Sequence, residues 1–480
     1  MRDLARLLET LGGKQWGTAR GEASGIAYDS RCVGPGGIFV AIPGFRDDGH
    51  RYIPAAVAAG AAAVVAERDP ASLPVPWVRV ADSRRALAQL ACSFFDHPSR
   101  ELDLVGVTGT NGKTTTTHLL RQVLEAAGSK TGLLGTVHNL IGDRVLPVEH
   151  TTPEAPDLQQ LLRRMVDEGC RAAVMEVSSH SLTLQRVAGT HFRVTVLTNV
   201  TQDHLDFHGT FEAYLAAKAS LFDATRPAAL NADDPNFPLF RKRCRQVLTY
   251  GLGEAAQVRG EALQVLPEGA RFNLSTSRGV WPVRLSLTGR FNVYNALAAA
   301  AAALLLGVDE TAVVRGLEAA RPVTGRLERV EEGQPFTVVV DYAHTPDGLE
   351  KLLTTVREFT AGRVLLVFGC GGDRDRGKRP LMGEVAARQA DYAWLTADNP
   401  RSEDPEAIIE EITVGFRRAG RDNYRRTVDR AMAIREALRA ARPGDAVVVA
   451  GKGHDTYQIF RDRTEAFSDR EELRRGLNER

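Results

Sequence analysis

The run Thr108-Gly109-Thr110-Asn111-Gly112-Lys113-Thr114-Thr115 follows an apolar stretch, 102–107, and opens a helical pattern over 114–127. In such a turn the glycines let backbone N–H groups face phosphate oxygens, and the helix N-terminus adds partial positive charge. Lys113 would then bridge β- and γ-phosphates, and Thr114 would hold Mg²⁺ through its hydroxyl. The pattern GxxxxGK[ST] asks for glycine at position 107, where the chain has Val107. Strand, loop, Gly-Lys-Thr and helix nevertheless coincide, so Gly109 to Thr115 are expected to bind nucleotide phosphates rather than form a turn with a solvated lysine.

A phosphate loop alone would suit a switch, a motor or a kinase. Met175-Glu176-Val177-Ser178-Ser179-His180 narrows the choice, because it ends a strand predicted over 172–177 and lets Glu176 offer hard oxygen to a divalent cation. After a second strand, 195–197, comes Thr198-Asn199-Val200-Thr201-Gln202-Asp203-His204-Leu205-Asp206-Phe207-His208-Gly209. Either histidine alone reads as a structural hydrogen-bonding residue. Beside a phosphate loop and an acidic strand end, His204 becomes a candidate metal ligand.

These residues need strands to deliver them, since ligand sites of parallel sheets form at the C-terminal ends of the strands. The chain has 480 residues, enough for about three domains at roughly 150 residues each. Residues 1–100 alternate short β-type runs (37–42, 62–66, 77–80) with alanine-rich helical stretches such as 53–59, a small α/β unit. Residues 101–325 carry the phosphate loop on a mostly parallel sheet. Pro322 and Gly325 then break a helix-rich stretch. In 326–480, strands at 336–340, 364–368, 392–396 and 446–450 alternate with helices at 381–388, 405–418 and 429–440, which predicts a Rossmann-like, doubly wound α/β domain.

Sixty-one basic against sixty acidic residues leave a charge of +1, so no global field favours nucleic acid or an anionic membrane. The five cysteines are far apart and without a CxxC pair, which reads as reduced thiols in a cytoplasmic protein. The N-terminus lacks a signal-peptide core. The longest alanine-rich run, 296–306, is too short to cross a bilayer and reads as a buried helix.

Gly109 to Thr115, Glu176 to His180 and Asn199 to Gly209 resemble the central-domain signatures of the Mur ligases, and the resemblance extends over essentially the whole chain. Members extend peptidoglycan precursors by one amino acid at a time. The resemblance implies that ATP phosphorylates a peptide carboxylate, giving an acyl phosphate that an incoming amine attacks. It also implies that Lys218, in Ala216-Ala217-Lys218-Ala219-Ser220, becomes a carbamate that binds Mg²⁺ with Thr114, Glu176 and His204. By sequence alone Lys218 is an ordinary solvated helix lysine.

Asp29-Ser30-Arg31 and Asp48-Gly49-His50 resemble the uridine-nucleotide domain of the third-residue-adding members. The implied substrate is therefore UDP-N-acetylmuramoyl-L-alanyl-D-glutamate, held by Ser30, Thr151, Thr152, Ser178 and Arg186. Leu184 stands where one pattern has glutamine. Gly289-Arg290-Phe291-Asn292-Val293-Tyr294-Asn295 resembles the helix start that meets adenine through Asn292 and Asn295. Gly325-Arg326 and Asp341-Tyr342-Ala343-His344-Thr345-Pro346 resemble the hinge and first loop of the third domain, with Arg326 on phosphate and Asp341 on ribose. Read blindly, Asn292 is a helix N-cap.

Gly371-Gly372-Asp373-Arg374-Asp375 and Asp398-Asn399-Pro400-Arg401 resemble the signature of members that add meso-diaminopimelate. That amino acid ends in both amine and carboxylate, and an arginine fork suits a carboxylate. Arg374, Asp398, Asn399, Pro400, Arg401, Gly451 and Asp455 are the implied diamino-acid site. In Gly451-Lys452-Gly453-His454-Asp455 the usual fifth residue is glutamate, so Asp455 leaves lysine or ornithine open as alternatives. A monomer is expected. A folylpolyglutamate-type ligase and a nucleotide-driven switch are the competing readings.

Overall fold

The computed structural model describes residues 1–44, 47–70 and 72–479. Among them, three sheets of mainly parallel strands succeed one another along the chain. The first has five strands, ordered Lys14–Trp16, Trp77–Arg79, Ala63–Ala66, Gly37–Val40 and Gly25–Ala27. Its last four are parallel and Lys14–Trp16 is antiparallel at the edge.

The second sheet has eleven strands. Its middle is parallel, with Asp103–Thr108 flanked by Ala172–Glu176 and Val194–Leu197. Fully buried runs such as Leu104, Val105 and Val107 lack polar alternation because helices cover both faces. On one face lie the helices Lys113–Ala126 and Arg290–Leu305. The latter buries Ala296 to Ala303 almost completely, as its alanine run predicts, and small side chains let it lie close to the phosphate-loop helix. The second core holds Leu158, Leu162 and Phe192. Antiparallel strands Val258–Leu266, Gly269–Thr276 and Gly279–Leu285 extend one edge.

The third sheet runs Glu328–Arg329, Thr337–Asp341, Ala446–Ala450, Val364–Phe368, Tyr392–Leu395 and Tyr424–Arg426. All but the first are parallel. The α/β class expected from the sequence holds for each unit. No helix among the described residues is long and apolar enough to cross a membrane, and all five cysteines are free.

Candidate active site

Strand Asp103–Thr108 delivers the phosphate turn to the C-terminal edge of the central sheet, and helix Lys113–Ala126 carries it away. Gly109 and Gly112 have φ of +148° and +87°. A Cβ at Gly109 would run into Thr198 Oγ1, and one at Gly112 into Asn295 Oδ1, so close approach as well as φ demands glycine. Lys113 Nζ folds back to donate to the carbonyls of Gly109 and Thr110, both at 2.8 Å. Burial draws its pKa below the usual lysine range, with Glu176 and Asp203 opposing that shift.

Glu176, 1% exposed at the end of the neighbouring strand, accepts from Thr114 Oγ1 at 2.9 and 3.0 Å. It also accepts from Thr136 N at 2.8 Å and Thr136 Oγ1 at 3.2 Å. Thr114 and Glu176 thus form a pair of hard oxygen donors directly behind the phosphate turn. No cluster of three His, Cys, Asp or Glu fit to hold a metal occurs among the described residues. Two protein oxygens suit Mg²⁺, which keeps several waters and completes its shell with substrate phosphates.

Lys218 comes from the helix Phe211–Ala219 and is 1% exposed. Its amine donates to Gly109 O at 2.8 Å and lies 4.6 Å from the Tyr214 ring centre. Burial, then Lys113, holds its pKa well below the usual value. Tyr214 Oη meets Thr110 Oγ1 at 2.9 Å, tying this helix to the turn. His204 is at the cavity wall with Nε2 3.3 Å from Asp203 Oδ2, and desolvation lowers its pKa to about 4. Its ring lies 4.8 Å from that of His180, whose pKa burial also lowers to about 4. The imidazoles are therefore neutral near pH 7.

On the other side of Glu176, Thr152 Oγ1 donates to the Glu176 carbonyl at 2.8 Å and accepts from Ser178 N at 3.1 Å. Thr151 Oγ1 is 3.1 Å from Thr136 Oγ1. Arg186 donates to Thr152 O at 3.0 Å and pairs with Glu154 at 2.7 Å, while its buried Nε has no partner.

From the third unit, Arg326 Nη2 reaches Thr114 Oγ1 at 3.4 Å, and its guanidinium lies 4.7 Å over the Tyr342 ring. Its Nε is buried without a partner. Asp341, expected to meet ribose, accepts from Leu327 N at 2.6 Å and Ala343 N at 2.8 Å and so also braces the hinge. Burial raises its pKa. Asn292 and Asn295 are linked at 3.1 Å, and Asn292 donates to Thr288 O at 2.8 Å. The helix N-cap is Gly289, so Asn292 is not the cap.

A cavity of about 1200 Å³ is lined by the phosphate turn, Glu176, Thr151, Thr152, Ser178, Arg186, His204, Asn295, Arg326, Asp341 and Arg374. A smaller one of about 240 Å³ takes in Asn292, Thr288 and Arg326. Ser30 lines neither cavity. It sits in a short 3₁₀ turn capped by Asp29, and its unit meets the central one where Tyr28 Oη donates to Asp157 at 3.2 Å.

The expected diamino-acid residues gather where two loops of the third sheet meet. Asn399 Oδ1 accepts from Lys452 Nζ at 3.2 Å and Ile459 N at 3.0 Å, and its side chain also bonds Asp455. Burial raises the pKa of Asp455 and lowers that of Lys452. A Cβ at Gly451 would approach Asp398 Oδ2, and Arg401 N donates to Ile459 O at 2.9 Å after Pro400. Arg401 Nη1 donates to Gly372 O at 2.8 Å, and Arg374 and Arg401 both flank Gly371. The Arg401 guanidinium there lies within reach of the charges of Arg374, Asp398 and Asp373. Sequence reasoning missed Thr136, Tyr214 and Lys452. Tyr214 alone had a local signal, lying four residues before Lys218 on one helix face.

Family profiles described as "Mur ligase family, catalytic domain", "Mur ligase middle domain" and "Mur ligase, glutamate ligase domain" match residues 22–95, 107–303 and 325–453. The chain belongs to the Mur ligase family. It is 50% identical to the UDP-N-acetylmuramoyl-L-alanyl-D-glutamate–2,6-diaminopimelate ligase of Geobacillus thermodenitrificans, over 95% of each chain. It is 48% identical to the UDP-N-acetylmuramyl-tripeptide synthetase of a Roseiflexus species, again over 95% of both. A solved UDP-N-acetylmuramoyl-L-alanyl-D-glutamate–2,6-diaminopimelate ligase superposes with a TM-score of 0.69 at 35% identity, covering 95% of each chain. This Mur ligase thus has solved and curated relatives along nearly its full length, with all three units included.

Proposed function

We propose that this Mur ligase joins meso-diaminopimelate to UDP-N-acetylmuramoyl-L-alanyl-D-glutamate at the expense of ATP, a step of peptidoglycan precursor synthesis. The carrying observation is that one cavity brings together the phosphate turn, the Thr114–Glu176 oxygen pair, Arg186 and, from the third unit, Arg326 and Arg374. A switch would need only the first two.

The proposed domains are 1–100 for the uridine nucleotide, 101–325 for ATP and 326–480 for the amino acid. The substrate's glutamate carboxylate oxygen attacks the γ-phosphorus and ADP leaves. The diamino-acid nitrogen then attacks the acyl carbon, and phosphate departs with the former carboxylate oxygen. Lys113 exchanges its loop carbonyls for phosphate oxygens, Arg326 adds charge from the hinge, and Arg186 orients the substrate carboxylate with Thr152 and Ser178.

Mg²⁺ fits the Thr114–Glu176 pair, with His204 and Lys218 nearby, and would neutralise phosphate charge. Lys218 is the amine best prepared for carbamylation, because burial favours the neutral form that can bond carbon dioxide with loss of a proton. Asn292 and Asn295 are proposed to meet the base, and Asp341 the ribose. In the amine site, the Arg374–Arg401 corner takes the distal carboxylate and Asp398 and Asp455 take the distal ammonium.

The test offers diaminopimelate, lysine and ornithine in parallel to purified protein with ATP, Mg²⁺ and the uridine-linked dipeptide. The expected product, read by mass, is the diaminopimelate adduct. Comparable turnover of lysine or ornithine would move the specificity, and no adduct with any of the three would remove the reading.

A further inference from the structure

Asp347 lies just beyond the third unit's loop Asp341 to Pro346, in the first turn of the helix Pro346–Phe359. A carboxylate is favoured there by the helix dipole. Its Oδ2 does more than complement that dipole. It accepts from Asn111 Nδ2 at 2.7 Å, Thr201 Oγ1 at 2.9 Å and Lys351 Nζ at 2.9 Å. Lys351 belongs to the same helix, whereas Asn111 and Thr201 belong to the central unit, 236 and 146 residues away in sequence.

Asn111 is the apex of the phosphate turn, and the central unit clamps its main chain. Its N–H donates to Asn199 Oδ1 at 3.1 Å, and its carbonyl accepts from Thr198 Oγ1 at 2.6 Å and Asn199 Nδ2 at 3.0 Å. With the backbone fixed, the Asn111 amide serves as an arm reaching to the other unit. Thr201 is fixed likewise, its N–H donating to Thr110 Oγ1 at 3.0 Å. One carboxylate oxygen is therefore held between the phosphate turn and the segment that follows the strand Val194–Leu197.

We propose that Asp347 is a positioning residue for phosphoryl and acyl transfer: it docks the third unit onto the phosphate turn, so that Arg326 and Arg374 face the cavity that holds the γ-phosphate. The inference rests on the ligase reading for its kinetics but not for the docking contact itself. Reaction geometry tolerates little displacement, and a misplacement of about 1 Å costs on the order of 10²-fold in rate. Loss of Asp347 should therefore act on kcat while leaving the nucleotide's own contacts in place.

The test compares Asp347→Ala, Thr201→Val and Lys351→Met in the full chain. Asp347→Ala is expected to lower kcat at saturating substrates at least about tenfold, with the dissociation constant for ATP changed less than about threefold and the urea midpoint nearly unmoved. Thr201→Val should give a smaller loss of the same kind. Lys351→Met removes the same-helix partner and with it a cation lining the cavity, so its effect should fall on the affinity for ATP, with kcat within about twofold of the unaltered chain. Hydrogen exchange with ATP bound supplies a readout that needs no turnover: Asp347→Ala should speed exchange at Asn111 to Thr114 and in the first turns of Pro346–Phe359. Unchanged kcat and unchanged exchange in Asp347→Ala would overturn the proposal. So would a rate loss matched by an equal loss of ATP affinity or of stability. Absence of ligation by the unaltered chain would count against the ligase reading, with the exchange result still deciding the docking.

Discussion

With its amine driven toward the neutral form by burial and by Lys113, Lys218 differs from the solvated helix lysine that its local sequence describes. Lys218→Ala should cut ligation by on the order of 10²-fold or more, since stabilisation of developing charge is lost. Steady-state ligation at fixed Mg²⁺ checks this, and an unchanged rate would exclude a role for the side chain. Arg401 gives a sharper specificity prediction. Arg401→Lys removes the planar fork, so the KM for diaminopimelate should rise about ten- to a hundredfold, equivalent to the roughly 1.5–3 kcal/mol of a charged hydrogen bond. Turnover of a monocarboxylate diamine such as lysine should change little. Equal effects on both substrates would place Arg401 in the backbone scaffold only. Lys113, Glu176 and Arg401 were legible because their motifs are local. Lys452 was not, because the bond to Asn399 that gives it meaning spans 53 residues.

The helix Lys113–Ala126 combines chemistry with a stability signature. Gly112 at its N-cap has φ +87°, and Asn295 occupies the space a Cβ would need. Gly112→Ala should cost about 1–2 kcal/mol from backbone strain alone and weaken ATP binding, measured by urea unfolding and nucleotide titration. Nearly two turns later, burial, then His138 and Arg121, lowers the pKa of His118 to about 3. The unfolded chain takes up this proton below about pH 6.5, and the folded chain refuses it until about pH 3. The stability it contributes is thus complete above pH 6.5 and lost as pH falls. The slope of unfolding free energy between pH 6 and 4 should flatten by nearly one proton in His118→Gln, and an unaltered slope would contradict the assignment. Parallel strands and alternating helices showed in the sequence as apolar runs bounded by turn residues. The antiparallel strands Val258–Leu266, Gly269–Thr276 and Gly279–Leu285 did not, because they leave polar residues half-exposed, although short local turns join them into successive hairpins.

Across the whole molecule, charge counts said least about where charge is used. Arg379 and Arg430 are fully buried, paired with Glu403, Glu411 and Asp469, and they brace the loops that begin at Gly371 and Ala450. Arg379 also donates to Gly371 O at 3.2 Å and Arg430 to Ala450 O at 3.0 Å. From composition they are indistinguishable from surface arginines. The order of units along the chain was legible from breaks in periodicity. Contacts between units, such as Asp347 with Asn111, have no local signature because each partner is an ordinary polar residue in its own segment. Activation of a peptide carboxylate through phosphate, followed by its transfer to an amine, is the chemistry proposed for this cavity. It is tested most directly by labelling the substrate's glutamate carboxylate with ¹⁸O and reading the phosphate released during ligation. One labelled oxygen per phosphate, with release requiring both the uridine-linked dipeptide and the diamino acid, is the expected result; unlabelled phosphate, or ADP formed at the same rate without the amino acid, would contradict it.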